Sequence, residues 1–321
     1  MKNQKWGRKM ETEKKCVCEK NQCTAAAKKC FDVSAGRRRT AVTALFLAAF
    51  TWGTAFCVLK DTLDVFSPVW LLALRFLLAG LLLAVICIPR MKRMTFRTLK
   101  NGALMGVVLY FEFWFFTVGL QYTTASKSSF ILASYIVILP LVYWIIRRKR
   151  PRREDIWASV LCMAGLSFIL FGSFEGINKG DVISLFSALC YAVHIVVTGI
   201  YAKDGDGLLL NLVQIGTGGI LGLVFAWISG PFPADIAIKD FGGIAYLAVF
   251  STIVPYLLSV FGQQYVRTST SGIILSFESV FGCILSVLVL GERPGGRFLA
   301  GAVLMMASFF IAERKIPPHT A

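Results

Sequence analysis

Between residues 41 and 313 the chain falls into about ten apolar runs of roughly 18 to 22 residues, each long enough to cross about 30 Å of hydrocarbon as a helix. A run of that length in lipid must satisfy its own backbone polar groups, and a helix does so. The runs read as 41–59, 68–88, 102–120, 125–146, 155–173, 182–200, 208–229, 241–262, 271–290 and 297–313. Composition agrees, with 56% of residues apolar and 16% charged, far from the balance of a soluble globular chain. The connections are short, so the expectation is an all-α polytopic membrane protein of ten transmembrane helices. None of the runs reads as a cleaved signal peptide, because the first follows a basic tail and no small-residue cleavage site with a soluble remainder comes after it.

Charge sets the expected orientation. The tail before the first span carries Lys2, Lys5, Arg8, Lys9, Lys14, Lys15, Lys20, Lys28, Lys29, Arg37, Arg38 and Arg39 against four acids, about half of the net charge of +16. A basic tail beside a first span holds the amino terminus in the cytoplasm and suits anionic lipid better than nucleic acid. The loops at 89–100 and 147–155 are basic, whereas 60–67, 173–181 and 231–240 are neutral or acidic. Both termini are therefore expected inside, with 1–39 a disordered cytoplasmic tail and 315–321 a short second one. Cys16, Cys18, Cys23 and Cys30 in the tail lack paired C-x-x-C spacing and a nearby histidine, and read as reduced thiols rather than a metal site. Cys57, Cys87, Cys162, Cys190 and Cys283 lie within spans and read as small apolar residues.

The chain contains a copy of itself. At an offset of about 143, QYTTASKSSFILASYIVILPLVYWIIRRKRP (121–151) pairs with QYVRTSTSGIILSFESVFGCILSVLVLGERP (264–294), and VTALFLAAF (42–50) echoes in VISLFSALC (182–190). Each copy, 40–174 and 180–314, holds about five crossings. An odd number of crossings makes the copies enter the membrane from opposite sides, and RRKRPRR against GERPGGR records it: the copy expected outside has lost most of its positive charge. Inverted repeats give two nearly equivalent forms, each open to one side, with a site near the midplane. Transport by alternating access is the leading expectation.

TWGTAF (51–56), Pro68 with Arg75, Pro140, GDVISLFSALCYA (180–192) and SFESVFGCILSVLVLGE (276–292) followed by Gly301 resemble the paired repeats of the EamA-type family of the drug/metabolite transporter superfamily. The resemblance covers roughly residues 41 to 313. It implies ten helices, cytoplasmic termini and a small-molecule permease, often an exporter of amino acids or related metabolites. Ser279 stands where many members carry proline.

Arg75, Glu112, His194 and Glu278 are the ionisable side chains deep within apolar runs, and each costs a few kcal/mol to place there unpaired. Arg75 and Glu112 reach similar depth on antiparallel neighbours, which predicts a buried ion pair, with substrate binding by Arg75 as the other role. His194 reads as a packing residue or a proton relay. For Glu278 three roles stay open: partner of a distant Arg75, substrate ligand or proton carrier, beside a structural one as a neutral acid bonded to a backbone carbonyl. Trp52, Tyr110, Trp114, Tyr135, Tyr191 and Tyr256 are candidates to line a pocket, Trp52 and Tyr135 being deepest. The substrate or ion pathway is thus expected among Glu278, Glu112, Arg75, Trp52, Tyr135, His194 and Tyr191. GTGGILG (216–222) lies inside a span and does not fit a nucleotide-binding loop; Gly218-x-x-x-Gly222 and Gly102-x-x-x-Gly106 read as close helix contacts.

No H-E-x-x-H, G-x-S-x-G or P-loop motif occurs, which argues against an enzyme or an ATP-driven pump. The resulting expectation is a secondary transporter of the cytoplasmic membrane, exporting a small metabolite such as an amino acid. A channel, or a non-transport scaffold or sensor, is the alternative. Expected partners are a small-molecule substrate and the lipid bilayer, with anionic lipid at the tail, no nucleic acid, no cofactor, and a homodimer left open.

Overall fold

The computed structural model describes residues 25–123, 128, 131–170, 178–203, 205–232, 237–282, 284 and 296–313. The cysteines at 16, 18, 23 and 283, most of the loop 173–181, the outer end of the ninth run (285–290), the GERPG stretch (291–295) and the C-terminal tail lie outside the described residues, as do the side chains of Cys30 and Cys57.

Every regular element described is helical: α1 (Ala25–Leu63), α2 (Pro68–Cys87), α3 (Phe96–Leu120), α4 (Tyr135–Arg147), α5 (Arg153–Leu170), α6 (Lys179–Tyr201), α7 (Gly207–Ser229), α8 (Phe241–Tyr265), α9 (Thr268–Leu275) and α10 (Gly296–Glu313). Among the described residues five helices are long and apolar enough to cross a membrane: α2 with its 3₁₀ extension to Arg93, α3, α6, α7 and α8. One boundary corrects the reading of the tail. Residues 25–39 are not unstructured but continue α1, whose first turns, AAAKK, are strong helix formers.

The ends follow local chemistry. Pro68 opens α2 where its missing N–H costs nothing. Thr95 caps α3 through the Thr98 amide, and Asn178 with Asp181 forms a reciprocal capping box at α6. Asp206 caps α7, which ends at Gly230 with φ of 143°. Two interruptions matter more. In α8 a π-helical turn spans Val249–Ile253, just before Pro255. In α9 a turn at Ser276–Phe277 precedes a return to helix at 278–282, and the Ser276 hydroxyl donates to the Ile273 carbonyl at 2.7 Å. The bend thus forms with serine, not proline, at 279. Ser134 makes the matching turn ahead of α4, donating to Ile131 O at 2.6 Å. At the repeat offset Ser134 corresponds to Phe277, and Tyr135 to Glu278.

The helices pack in an exchanged pattern: α1 against α8, α3 against α6, α2 against α7 and α5 against α10, with α3 also on α7, while α4 packs mainly on α6 and touches α9 less. Small residues permit these approaches. A Cβ added at Gly102 lies 2.6 Å from the Val213 side chain, and one at Gly222 lies 2.9 Å from Ala73 Cα, so both glycine pairs are the close contacts expected of them. A close backbone contact joins α1 to the segment beyond α9. A Cβ on Gly53 falls 2.9 Å from both Glu278 O and Gly282 N. Large apolar side chains such as Leu81, Val85, Ile86, Trp227 and Ile228 point outward, the face that a bilayer covers.

Candidate functional site

Pro255 has no N–H to offer the carbonyl four residues back, and that carbonyl belongs to Ser251. The π-turn widens the helix at this point and turns the acceptor inward. Trp52 Nε1 donates to Ser251 O at 3.1 Å and Arg75 Nη2 at 2.9 Å. Arg75 also donates through Nε to Thr252 Oγ1 at 2.7 Å and through Nη2 to Ser251 Oγ at 3.1 Å. Its guanidinium lies 4.4 Å from the centre of the Phe113 ring. An arginine only 1% exposed is thereby held by neutral acceptors and an aromatic face.

These groups line a cavity bounded by both copies: Trp52, Ala55 and Leu59 from α1, Arg75 from α2, Glu112, Phe113 and Phe116 from α3, and Leu132, with Ser187 and Tyr191 from α6, Ser251 and Tyr256 from α8, and Glu278 beyond the turn after α9. Trp52 meets Tyr256 edge-on at 5.2 Å and Tyr191 at 6.3 Å. Ser187 Oγ donates to the Glu112 backbone carbonyl at 2.8 Å and ties α3 to α6.

The structure brings together five of the seven candidates named from sequence: Arg75, Glu112, Glu278, Trp52 and Tyr191 all line the cavity. Tyr135 does not. Its ring lies tilted behind Tyr191, centroids 4.4 Å apart, and its hydroxyl donates to Gly272 O at 2.9 Å, bridging α4 and α9. His194 also stands behind the wall, with Nε2 3.1 Å from Gln214 Oε1 and Nδ1 3.9 Å from Glu112 Oε2. The ion pair expected between Arg75 and Glu112 is not formed. Arg75 faces the π-turn instead, because the free carbonyl and two hydroxyls there satisfy three of its bonds without a second charge.

Glu112 Oε2 is buried with no hydrogen-bond partner, as is the Tyr256 hydroxyl. Glu278 makes no ion pair with any described residue. The cavity therefore offers one fixed guanidinium and two carboxyl groups between aromatic walls, a set suited to a small solute bearing both signs of charge. Among the described residues no group of three or more His, Cys, Asp or Glu side chains is placed to hold a metal ion. Tyr256, Ser251, Thr252 and Gln214 were outside the leading candidates. Pro255 was the available signal for Ser251, since a proline in a span always frees a carbonyl one turn back.

A second cluster lies away from the cavity. Asp155 at the start of α5 binds Arg267 just before α9 and pairs with Arg152 at 3.3 Å, and Arg152 donates to Ala312 O of α10 at 3.3 Å.

The description of the EamA-like transporter family matches this chain twice, over residues 39–171 and 178–313. An uncharacterized transporter of Archaeoglobus fulgidus is 30% identical over 85% of this chain and 85% of its own length. The uncharacterized transporter YyaM of Bacillus subtilis is 26% identical over 81% and 89%. A protein of Chlamydia muridarum named S-adenosylmethionine/S-adenosylhomocysteine transporter is 25% identical over 83% and 89%. One crystal structure superposes with a TM-score of 0.69 at 16% identity, covering 85% of this chain and 96% of that one, a likeness of fold.

Proposed function

Because the chain belongs to the EamA-like transporter family, we propose that this membrane transporter is a secondary carrier that exports a small metabolite, such as an amino acid or related compound, by alternating access. The observation that carries the reading is the cavity shared by the two copies, with Arg75, Glu112 and Glu278 converging on it. A carboxylate of the substrate meets Arg75, and an ammonium group meets Glu112 or Glu278. The Chlamydia relative's named substrates each carry an amino-acid group, in keeping with that pairing.

The proposed architecture is ten spans in two inverted halves, 40–174 and 180–314, in the cytoplasmic membrane with both termini inside. The exchanged packing supports it: the first helix of each half meets the third of the other, and the second and fifth meet their own counterparts. On this orientation Leu59 and Phe116 belong to the outer ends of their helices. The cavity then leans outward, and the Asp155–Arg267 cluster lies on the inner side.

Cells overproducing the protein, screened for resistance to toxic amino-acid analogues and related metabolites, should identify a solute it removes. The purified carrier in liposomes should then move that solute with saturation and counterflow. Flux without either favours a channel. Glu278→Gln, which keeps size and neutral hydrogen bonding, should bind the solute at least tenfold more weakly if the carboxylate meets its ammonium group, a loss of about 1.4 kcal/mol. Unchanged affinity removes Glu278 from the substrate's contacts.

Orientation has its own test. In a background without the nine native cysteines, an impermeant thiol reagent applied to whole cells should label a cysteine placed at Asp64 and spare one at Lys92, both exposed positions. The reverse pattern overturns the proposed topology.

A further inference from the structure

Behind the cavity wall runs a chain of buried amides whose direction can be deduced without assuming any hydrogen position. It begins at the Gly207 carbonyl, which can only accept. Asn211 therefore turns its nitrogen toward it, with Nδ2 donating at 2.8 Å. That leaves Asn211 Oδ1, again only an acceptor, facing Gln214, whose Nε2 donates at 2.5 Å. Gln214 Oε1 then faces His194 Nε2 at 3.1 Å, so Nε2 must carry a hydrogen. In the neutral ring Nδ1 is consequently bare. Its neighbour, at 3.9 Å, is Glu112 Oε2, the buried oxygen without a hydrogen-bond partner.

We propose that Glu112 and His194 form one proton-holding site in the cavity wall, with Gln214 and Asn211 as positioning residues that keep Nδ1 free to receive the Glu112 proton. This deepens the carrier reading and rests on it. With the proton on Glu112, both groups are neutral. When the carboxyl swings onto the ring, its O–H bond breaks and an Nδ1–H bond forms, leaving a carboxylate and an imidazolium. Charge and atoms balance within the pair, and no other reactant takes part. Glu112 lines the cavity and His194 does not, so the transfer exposes a negative charge to a cationic solute while the proton is kept behind the wall. Solute binding and proton storage are thereby linked at one residue.

The other ionisable groups that sense Glu112 are Arg75 from α2, Tyr135 from α4, Cys190 and Tyr191 from α6, Tyr256 from α8, and Glu278. The Tyr256 ring also stands edge-on to the imidazole at 5.7 Å. None of these groups forms a hydrogen bond or ion pair with the Glu112 carboxyl, and the imidazole is the nearest base to its Oε2.

The chain has two histidines, so His319→Asn leaves a single ring for nitrogen-15 NMR of the full chain in lipid bilayers, with no substrate added. The neutral ring should show hydrogen on Nε2 alone and a bare Nδ1 resonance that moves when Glu112 is replaced by alanine. Gln214→Leu should release the tautomer, so that the Nδ1–H form appears. An Nδ1–H ring in the otherwise native protein, or an Nδ1 resonance indifferent to Glu112→Ala, overturns the proposal, and the first reading needs no destabilising variant. Such a failure leaves the carrier reading standing, because that reading falls only with solute flux.

Discussion

Gly53→Val should leave little folded protein in the membrane. Even the first carbon of a side chain at this position lies 2.9 Å from Glu278 O and Gly282 N and 3.0 Å from Phe281 Cβ. Two of these three neighbours are backbone atoms of a helix, which cannot rotate aside, so α1 and the segment beyond α9 must separate. Overpacking of this kind costs about 1–3 kcal/mol, and more where the neighbours are rigid. Gly53→Ala should already lower the melting temperature of the purified protein. The contrast is Gly216 in α7, where an added Cβ meets nothing within 4 Å; there alanine should be neutral or stabilise the helix by up to about 1 kcal/mol. Equal melting temperatures for the two alanine variants sink the argument.

Arg75→Gln should be the most damaging change among the cavity residues. It removes donors to Thr252 Oγ1, Ser251 O and Ser251 Oγ, and a hydrogen bond from a charged donor contributes about 1.5–3 kcal/mol. The variant should lose both thermal stability and solute binding. Arg75→Lys keeps the charge but not the fork, and should recover only part of the stability. Adding Glu112→Gln to Arg75→Gln should give a loss close to the sum of the two, since no ion pair joins them and the charges meet only through space across the cavity. A double variant clearly more stable than that sum indicates direct pairing in the working protein, contrary to the geometry described here.

Positions along each helix were legible in the sequence; directions around it were not. Run length located most of the described helices to within a few residues, because an apolar run is a one-dimensional property; the starts of α1, α3 and α4 and the break after α9 were the exceptions. The depth of Arg75 and Glu112 was likewise readable, and both line one cavity. Their pairing was misread because depth says nothing of which face a side chain occupies, and because the competing acceptors come from a turn that departs from α-helical spacing. Tyr135 shows the same limit. It is as deep as its repeat counterpart Glu278, yet its ring turns behind Tyr191. His194 looked solitary since Gln214 and Asn211, on the neighbouring helix, are uncharged and sit in an apolar run where hydropathy registers them only weakly.

The turns ahead of α4 and at Ser276–Phe277 have a consequence for the energy of the resting carrier. On the inverted arrangement proposed here, two identical halves would make the inward-open and outward-open forms equivalent by a two-fold rotation, and so equal in free energy. Whatever preference the empty protein has must then come from positions where the copies have diverged. The matched turns preserve the shape on both sides, while the residue following each is tyrosine in one copy and glutamate in the other. A difference of about 1.4 kcal/mol between such positions already skews the two populations tenfold. Exchanging the pair, as Tyr135→Glu with Glu278→Tyr, addresses that bias directly, since it transposes the chemistry between the halves while leaving the composition of the chain unchanged.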